Sequence, residues 1–507
     1  MPLGMLAEMA ADAWPDRIAV GSRNPDSGAP ALTYGALLRT AQGGSGVLQA
    51  GGAGSVAFLD VNGPAYATVL FAAALAGIPF CPLNYRLSAD RLAEQLAALA
   101  DPLIVAGPDY QAVLAGLGGR VVTVQDWERE ADAAEPAGDG PADDSAPCVL
   151  LFTSGTSATP KAALLRHENL VNYVLQTVEF GAADADDAML VGVPPYHVAG
   201  LSSTLTNIFA GRRLVHLPNF SPDGWLRTVR EEGITNAMVV PTMLARIVEY
   251  LDGKTADVPT LRNLAYGGAR MPAAVLEAAL AAFPAVDFFN AYGLTETSST
   301  IALLGPADHR TAFASAHPAV RRRLSSVGQV IPGVEVQIRD IDGRVLQPEE
   351  RGELWLRGSQ VSGEYLAGGS VLDDQGWFPT RDRAWVDSDG YLFVEGRADD
   401  TIIRGGENIA PAEIEEVLRD HPGVGDVGVV GVADDEWGQI IVAFVVPKTG
   451  QAGPDEAELR TFARGQLRGS RTPDRVVIVP ELPYTPTGKL LRRELPALLK
   501  SELHDAG

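Results

Sequence analysis

The chain has 507 residues, well beyond the size at which one hydrophobic core stops growing, so at least two domains are expected. Hydrophobic residues at 46% and charged residues at 21% are globular proportions and exclude a mostly disordered or coiled-coil protein. With 40 Lys and Arg against 64 Asp and Glu, the net charge of −24 repels nucleic-acid phosphates and anionic lipid surfaces, and no basic patch is large enough to offset it.

Met1-Pro2-Leu3-Gly4 leads into an Ala-rich helix without a basic start and apolar run, so no secretory signal is expected. Val56–Val61 reads as a strand. Ala65–Leu83 is uncharged and long enough for a bilayer, but Gly77, Pro79 and Pro82 interrupt it. It reads instead as a helix over about 65–76 and a short buried strand at Ile78–Leu83. A helix at Ala89–Leu99 and a strand at Leu103–Val105 follow, and such alternation argues for parallel sheet with helices on its faces. Arg129–Pro147, acidic and rich in Ala, Pro and Gly, reads as a solvated loop. Strands resume at Cys148–Phe152, Ala188–Val193, Leu214–Leu217, Ala237–Val240, Leu264–Tyr266 and Asp287–Phe289. Cys81 and Cys148 sit in apolar runs like small core residues, which fits a soluble, cytoplasmic protein.

From about Val327 short strands separated by turns such as Asp342-Gly343 and Asp389-Gly390 suit a small antiparallel barrel or sheet. After Gly396 an α+β pattern begins: helix Pro411–Arg419, strands Val424–Val432 and Ile440–Pro447, helix Asp455–Leu467, strand Val476–Val479. The expected organisation is α/β, with an N-terminal domain over 1–396 that includes a barrel-like part at about 327–396, and a smaller C-terminal domain over 397–507.

Five segments carry chemistry. Thr153-Ser154-Gly155-Thr156-Ser157-Ala158-Thr159-Pro160-Lys161 follows a buried strand and suits a phosphate cradle of backbone N–H groups, hydroxyls and one cation. Pro160 before Lys161 and Ala162 after it break the kinase-type loop pattern, and a flexible Ser/Thr linker is the alternative. Asn290-Ala291-Tyr292-Gly293-Leu294-Thr295-Glu296-Thr297 places a hydroxyl beside a carboxylate at a strand end, a pair able to hold a phosphate oxygen and Mg²⁺. The plainer reading is a strand-to-helix turn capped by Thr295. Asp382 suits the two hydroxyls of a ribose and Arg397 a phosphate, though either alone reads as a surface ion pair. Arg404-Gly405-Gly406-Glu407-Asn408 and Pro486-Thr487-Gly488-Lys489 mean little singly.

In this order and spacing the five resemble the adenylate-forming superfamily of acyl- and aryl-CoA synthetases, adenylation domains and luciferases, over essentially the whole chain. The resemblance implies a large α/β N-terminal region with a small barrel and a mobile α+β C-terminal lid hinged near Asp399. It implies that a carboxylic acid attacks ATP to give acyl-adenylate and pyrophosphate, after which CoA displaces AMP. Lys489, Thr295, Glu296 and His197 would be catalytic, with Glu296 also binding Mg²⁺. Thr153, Ser154, Gly155, Thr156, Ser157 and Lys161 would hold the polyphosphate. Gly267, Gly268, Ala269, Asn290, Ala291 and Tyr292 would frame adenine, Asp382 and Arg397 the ribose and phosphate, and Gly405, Gly406, Glu407 and Trp437 the CoA side. Tyr196-His197, where adenylation domains usually carry an aspartate for an α-amine, suits an acid without one; a core histidine satisfied by backbone is the alternative.

The expected partners are a small carboxylic acid, ATP and CoA, with no nucleic acid and no integral membrane contact; a homodimer is compatible with this reading. The expected acid is a fatty acid held by His197–Leu201, Thr242, Gly267 and Thr297–Ser299. An aryl acid, or an acyl-AMP ligase serving a carrier protein, is the alternative. Ala158, Ala162 and Arg381 depart from the family's usual glycines; Arg381 would crowd the ribose or add a phosphate contact.

Overall fold

The computed structural model describes residues 1–24, 31–117, 119–137, 143–153, 161–397, 400–404, 407–434, 437–448, 453–467, 469–485 and 489–499. The chain forms two compact units: Met1–Glu335 with Leu356–Phe378, and Val336–Trp355 with Pro379–Gly507. Of the residues expected to form a small barrel, 336–355 and 379–396 group with the C-terminal residues, and 327–335 and 356–378 with the first unit. Asp399, the expected hinge, lies outside the described residues.

The first unit is built on two large sheets. One runs in the order Gly369–Ser370, Glu364–Tyr365, Lys161–Arg166, Pro147–Thr153, Phe80–Pro82, Ser55–Leu59, Pro102–Ala106 and Arg120–Thr123. Its strands from Pro147–Thr153 onward are parallel. All five residues of Ser55–Leu59 are buried, the signature of a strand covered on both faces. The uncharged segment that follows is the helix Pro64–Ala76, every residue of which is buried except Pro64 and Leu75, so its apolar composition serves packing within the fold. Among the described residues no helix is long and apolar enough to cross a membrane.

The second sheet runs Gln329–Val330, Ser299–Leu304, Asp287–Leu294, Asn263–Gly267, Asn236–Val239, Ala188–Val191, Arg213–His216, Ile18–Val20 and Leu32–Thr33. Its seven-strand middle contains five parallel pairings and is closed at one side by the antiparallel return Ser299–Leu304. One expectation fails here: the stretch from Arg129 begins as helix, because Val124–Ala133 is capped by the Thr123 side chain and anchored by fully buried Trp127 and Ala131.

A four-stranded sheet of Val334–Arg339, Gly352–Gly358, Phe378–Val386 and Leu392–Arg397 has most of its residues in the second unit. That unit also holds a three-stranded sheet, Val424–Asp434, Gly438–Pro447 and Arg475–Ile478. The helices Pro411–Arg419 and Glu456–Gln466 supply Ile414, Leu418, Leu459 and Ala463 to a core with Val427, Val429, Ile441 and Val445.

Candidate active site

In an open parallel sheet ligands bind beyond the carboxyl ends of the strands. At that edge of the nine-stranded sheet, Gly267 pairs in register with Ala291, beside Asn290 and Tyr292. A Cβ on Gly267 would lie 2.2 Å from the Ala291 carbonyl oxygen, so only glycine allows this approach. Gly268 follows at φ +83°. The strand Asp287–Leu294 then enters a single 3₁₀ turn, Thr295–Thr297, and the chain returns as an antiparallel strand. The expected strand-to-helix turn is thus a hairpin, with Thr295 and Glu296 at its tip.

That tip is tightly held. Thr297 is fully buried; its hydroxyl accepts from Leu294 N at 3.0 Å and is 2.9 Å from the Ser299 carbonyl. Ser298 and Ser299 adopt φ +58° and +128°, a conformation costly for residues with a Cβ, which persists only where surroundings over-determine it. Buried Gln360 supplies that determination: its side-chain amide donates to the Thr297 and Thr300 carbonyls at 2.9 Å, while its backbone carbonyl accepts from Ser298 Oγ at 2.9 Å. Ser362 N donates to the Glu296 backbone carbonyl at 2.9 Å. Tyr365 donates its hydroxyl to Glu296 Oε1 at 2.6 Å and pairs with Ala163. Lys161, exposed, starts that same strand and pairs with Thr153. The 360–365 strap therefore brings Glu296 close to the end of the hydroxyl-rich segment. Sequence reading missed Gln360 and Tyr365; the polar run Ser359-Gln360-Val361-Ser362 between strand patterns was the available signal. Ser154, Gly155, Thr156, Ser157 and Ala158 lie outside the described residues.

His197 occupies the N-cap position of the helix Val198–Ala210, without a side-chain capping hydrogen bond. Its ring lies 4.5 Å from that of Tyr196, which meets Tyr85 at 5.4 Å; Tyr85 meets Tyr110 at 5.7 Å. His197 Nε2 is buried without a hydrogen-bond partner. Burial, aided by the positive Arg86, pushes its pKa down to about 4, so the imidazole is neutral at physiological pH. Its Nε2, at least, is not satisfied by backbone.

The first unit also has an open cavity of about 320 Å³ between the helix Val198–Ala210 and the sheet. Ser202, Ser203, Thr206 and Asn207 line it from the helix at i, i+1, i+4 and i+5, one helical face. Asn236 and Met238, Asn263 and Ala265, and Phe289 and Ala291 line it from three strands at alternate positions, one sheet face. Of the expected acid-pocket residues, Ser299 lines this cavity and hydrogen-bonds Ser202 at 3.1 Å, whereas Thr297 and Ser298 serve the turn. His197–Leu201, Thr242 and Gly267 do not line it. The polar helix face and the two asparagines at alternate apolar-strand positions were legible but unread.

In the second unit Asp382 is 5% exposed and takes Arg397 Nη1 at 3.4 Å; the same nitrogen donates to the Thr380 carbonyl at 3.0 Å. The structure thus brings these two expected nucleotide residues together. Arg381 has φ +62° and points its mostly exposed side chain toward Glu353 at 3.9 Å. What replacing the family's glycine adds here is backbone strain. Trp437 is partly exposed under the Arg404 guanidinium, 4.6 Å from its ring centroid. Gly405 and Gly406 lie outside the described residues; Glu407 starts the strand paired with Ile402–Arg404. Lys489 is exposed in a turn closed by Thr485 N donating to its carbonyl at 2.8 Å.

Profiles of the AMP-binding enzyme family and of the AMP-binding enzyme C-terminal domain match residues 7–366 and 413–489. The chain belongs to the AMP-binding enzyme family. It is an AMP-forming acid–thiol ligase, with ATP and CoA as its co-substrates. Among relatives of this family, a feruloyl-CoA synthase of Amycolatopsis is 35% identical over 95% of this chain and 97% of its own. A fatty acid–[acyl-carrier-protein] ligase of Streptomyces coeruleorubidus is 33% identical over 92% and 91%. ATP-bound MatB from Rhodopseudomonas palustris superposes with a TM-score of 0.86 at 26% identity over 99% of both chains.

Proposed function

We propose that this ligase activates a compact, ring-bearing carboxylic acid. The cavity carries the reading. At about 320 Å³ it has roughly twice the ~150 Å³ that admits benzene, and falls within the range of small-molecule sites. More than half of its lining side chains carry a hydroxyl, amide or guanidinium; Thr177, Ser202 and Thr206 are already bonded to backbone carbonyls, but Arg212 Nε is buried without a partner, and an alkyl chain would leave it so. Tyr173 and Phe289 are aromatic members of the lining, suited to pack against a ring. On these grounds the proposal takes the aryl-acid alternative rather than the fatty acid expected from the sequence.

The acid's carboxylate attacks the α-phosphorus of ATP, and pyrophosphate leaves; the CoA sulfur then attacks the acyl carbon, and AMP leaves. The first step joins two anions, so positive charge is the main requirement. Lys161 and Lys489 are the lysines assigned to it, Lys489 to adenylate formation alone. Glu296, one oxygen held by Tyr365, with Thr295 beside it, suits Mg²⁺ arriving on the nucleotide, since that ion prefers one or two carboxylates plus substrate phosphates. Among the described residues no group of three or more His, Cys, Asp or Glu gathers to hold an ion by itself. Neutral His197 adds no charge to repel Mg²⁺ or attract a second anion. Asp382 and Arg397 are assigned to the ribose and its phosphate.

Benzoate, cinnamate, octanoate and palmitate, compared in ATP- and CoA-dependent pyrophosphate release, test the proposal. An aromatic acid is expected to exceed palmitate at least tenfold in kcat/KM; palmitate as the best substrate would refute it. Replacing CoA by a carrier protein is expected to abolish thioester formation.

A further inference from the structure

The lining of the cavity is layered, and strand register fixes the layers. At the carboxyl-side level lie Ala291 and Ser299, with Ser202 bonded to Ser299. One level below, Ala265 pairs with both Met238 and Phe289, an apolar belt. At the amino edge, Asn236 pairs with Asn263 on one side and Met189 on the other, while Arg213, next to Arg212, pairs with Ala188. Asn207 and Arg212 complete this lowest layer.

Arg212 is the unusual member. Its side chain is 16% exposed, and Nη1 donates to Asn207 Oδ1 at 2.6 Å. Its Nε is buried without a hydrogen-bond partner. The nearest carboxylate, Asp187, stands 4.0 Å away, beyond hydrogen-bond reach, and is bonded by Arg262 instead. Burial depresses the pKa of this guanidinium, with only Tyr34 opposing. A guanidinium has five N–H donors in a rigid fork, and a buried cation so little compensated is costly. A ligand oxygen entering the lowest layer would relieve that cost.

Resting on the reading of this cavity as the acid site, we propose that the acid carries a second oxygen at its far end, a hydroxyl or carboxylate, which Arg212 and the amides of Asn236 and Asn263 hydrogen-bond. From Asn263 to Gly267 the strand rises ~13 Å; allowing ~3 Å for a hydrogen bond, the two ends of the acid lie roughly 10 Å apart. The apolar belt takes the ring between them.

Cinnamate, 4-hydroxycinnamate and 4-carboxycinnamate form the matched test set, assayed with the full-length enzyme and with Arg212→Met and Asn263→Leu. The wild type is expected to favour one of the oxygenated acids over cinnamate by about 10-fold or more in kcat/KM, as expected where a buried donor loses its partner. The preferred arm tells hydroxyl from carboxylate. Each variant is expected to bring that ratio within about threefold of unity. Equal use of all three acids by the wild type, or an unchanged ratio in both variants, would overturn the proposal. Calorimetric binding of the same acids reads the preference without turnover. If no acid is turned over but an oxygenated one binds selectively through Arg212, the ligase reading of the cavity fails and the far-end recognition stands; binding without preference overturns the recognition itself.

Discussion

Lowering the pH from 7 to 5 is expected to destabilise the first unit through His197. In the unfolded chain this imidazole takes a proton near its ordinary value of 6.5; in the fold it does so only at about 4. Between those values the unfolded state binds more protons, so stability rises with pH across the window and is lost as pH falls from 6.5 toward 4. Below the folded value both states are charged and the dependence flattens. One pKa unit corresponds to about 1.4 kcal/mol, so the 1.5 units between 6.5 and pH 5 amount to about 2 kcal/mol. The assay is urea unfolding at pH 7.5, 6.5, 5.5 and 5.0, followed by fluorescence, to which the fully buried Trp127 and Trp225 contribute. His197→Gln, measured in parallel, is expected to remove about 1.4 kcal/mol per pH unit from the slope in this window while other groups cancel in the difference. Identical slopes in the two proteins would refute the argument. So would a pH profile of pyrophosphate release in which the wild type, but not the variant, shows a limb near 6.5.

Lys489→Ala is expected to reduce acid-dependent pyrophosphate release by at least 10²-fold, while preformed acyl-adenylate still reacts with CoA; equal loss of both half-reactions would contradict the assignment. Glu296→Ala is expected to slow adenylation by about 10²-fold or more, and near-wild-type kinetics would remove Glu296 from the site. Tyr365→Phe frees Glu296 from its 2.6 Å hydrogen bond and is expected to change the Mg²⁺ dependence of adenylation several-fold with little effect on KM for CoA, checked by Mg²⁺ titration. Arg381→Gly relieves a left-handed φ and loses only a 3.9 Å exposed contact; a thermal-melt gain of up to about 1 kcal/mol is expected, and a loss larger than that would contradict the strain reading.

The alternation of apolar strands and helices was legible because buried parallel strands and the almost wholly buried helix Pro64–Ala76 leave near-continuous apolar runs. The chemistry-bearing segments were legible because strand ends, glycines and a lone lysine must sit at fixed places along the chain: Gly267 is dictated by the Ala291 carbonyl, whatever else surrounds it. Residues that act by bridging distant parts of the chain left no such local mark. Gln360 holds Thr297 and Tyr365 holds Glu296 across more than sixty positions, and composition cannot announce a partner that far away.

The order of its segments thus determined that this chain is an adenylate-forming ligase, since adjacency along the backbone sets each loop's own chemistry. Tertiary structure alone decided which side chains line the pocket proposed for the acid. Side chains from two helices and five strands become a layered cavity only when register aligns them, and burial, with Arg86 nearby, turns His197 neutral while leaving Arg212 Nε without a partner.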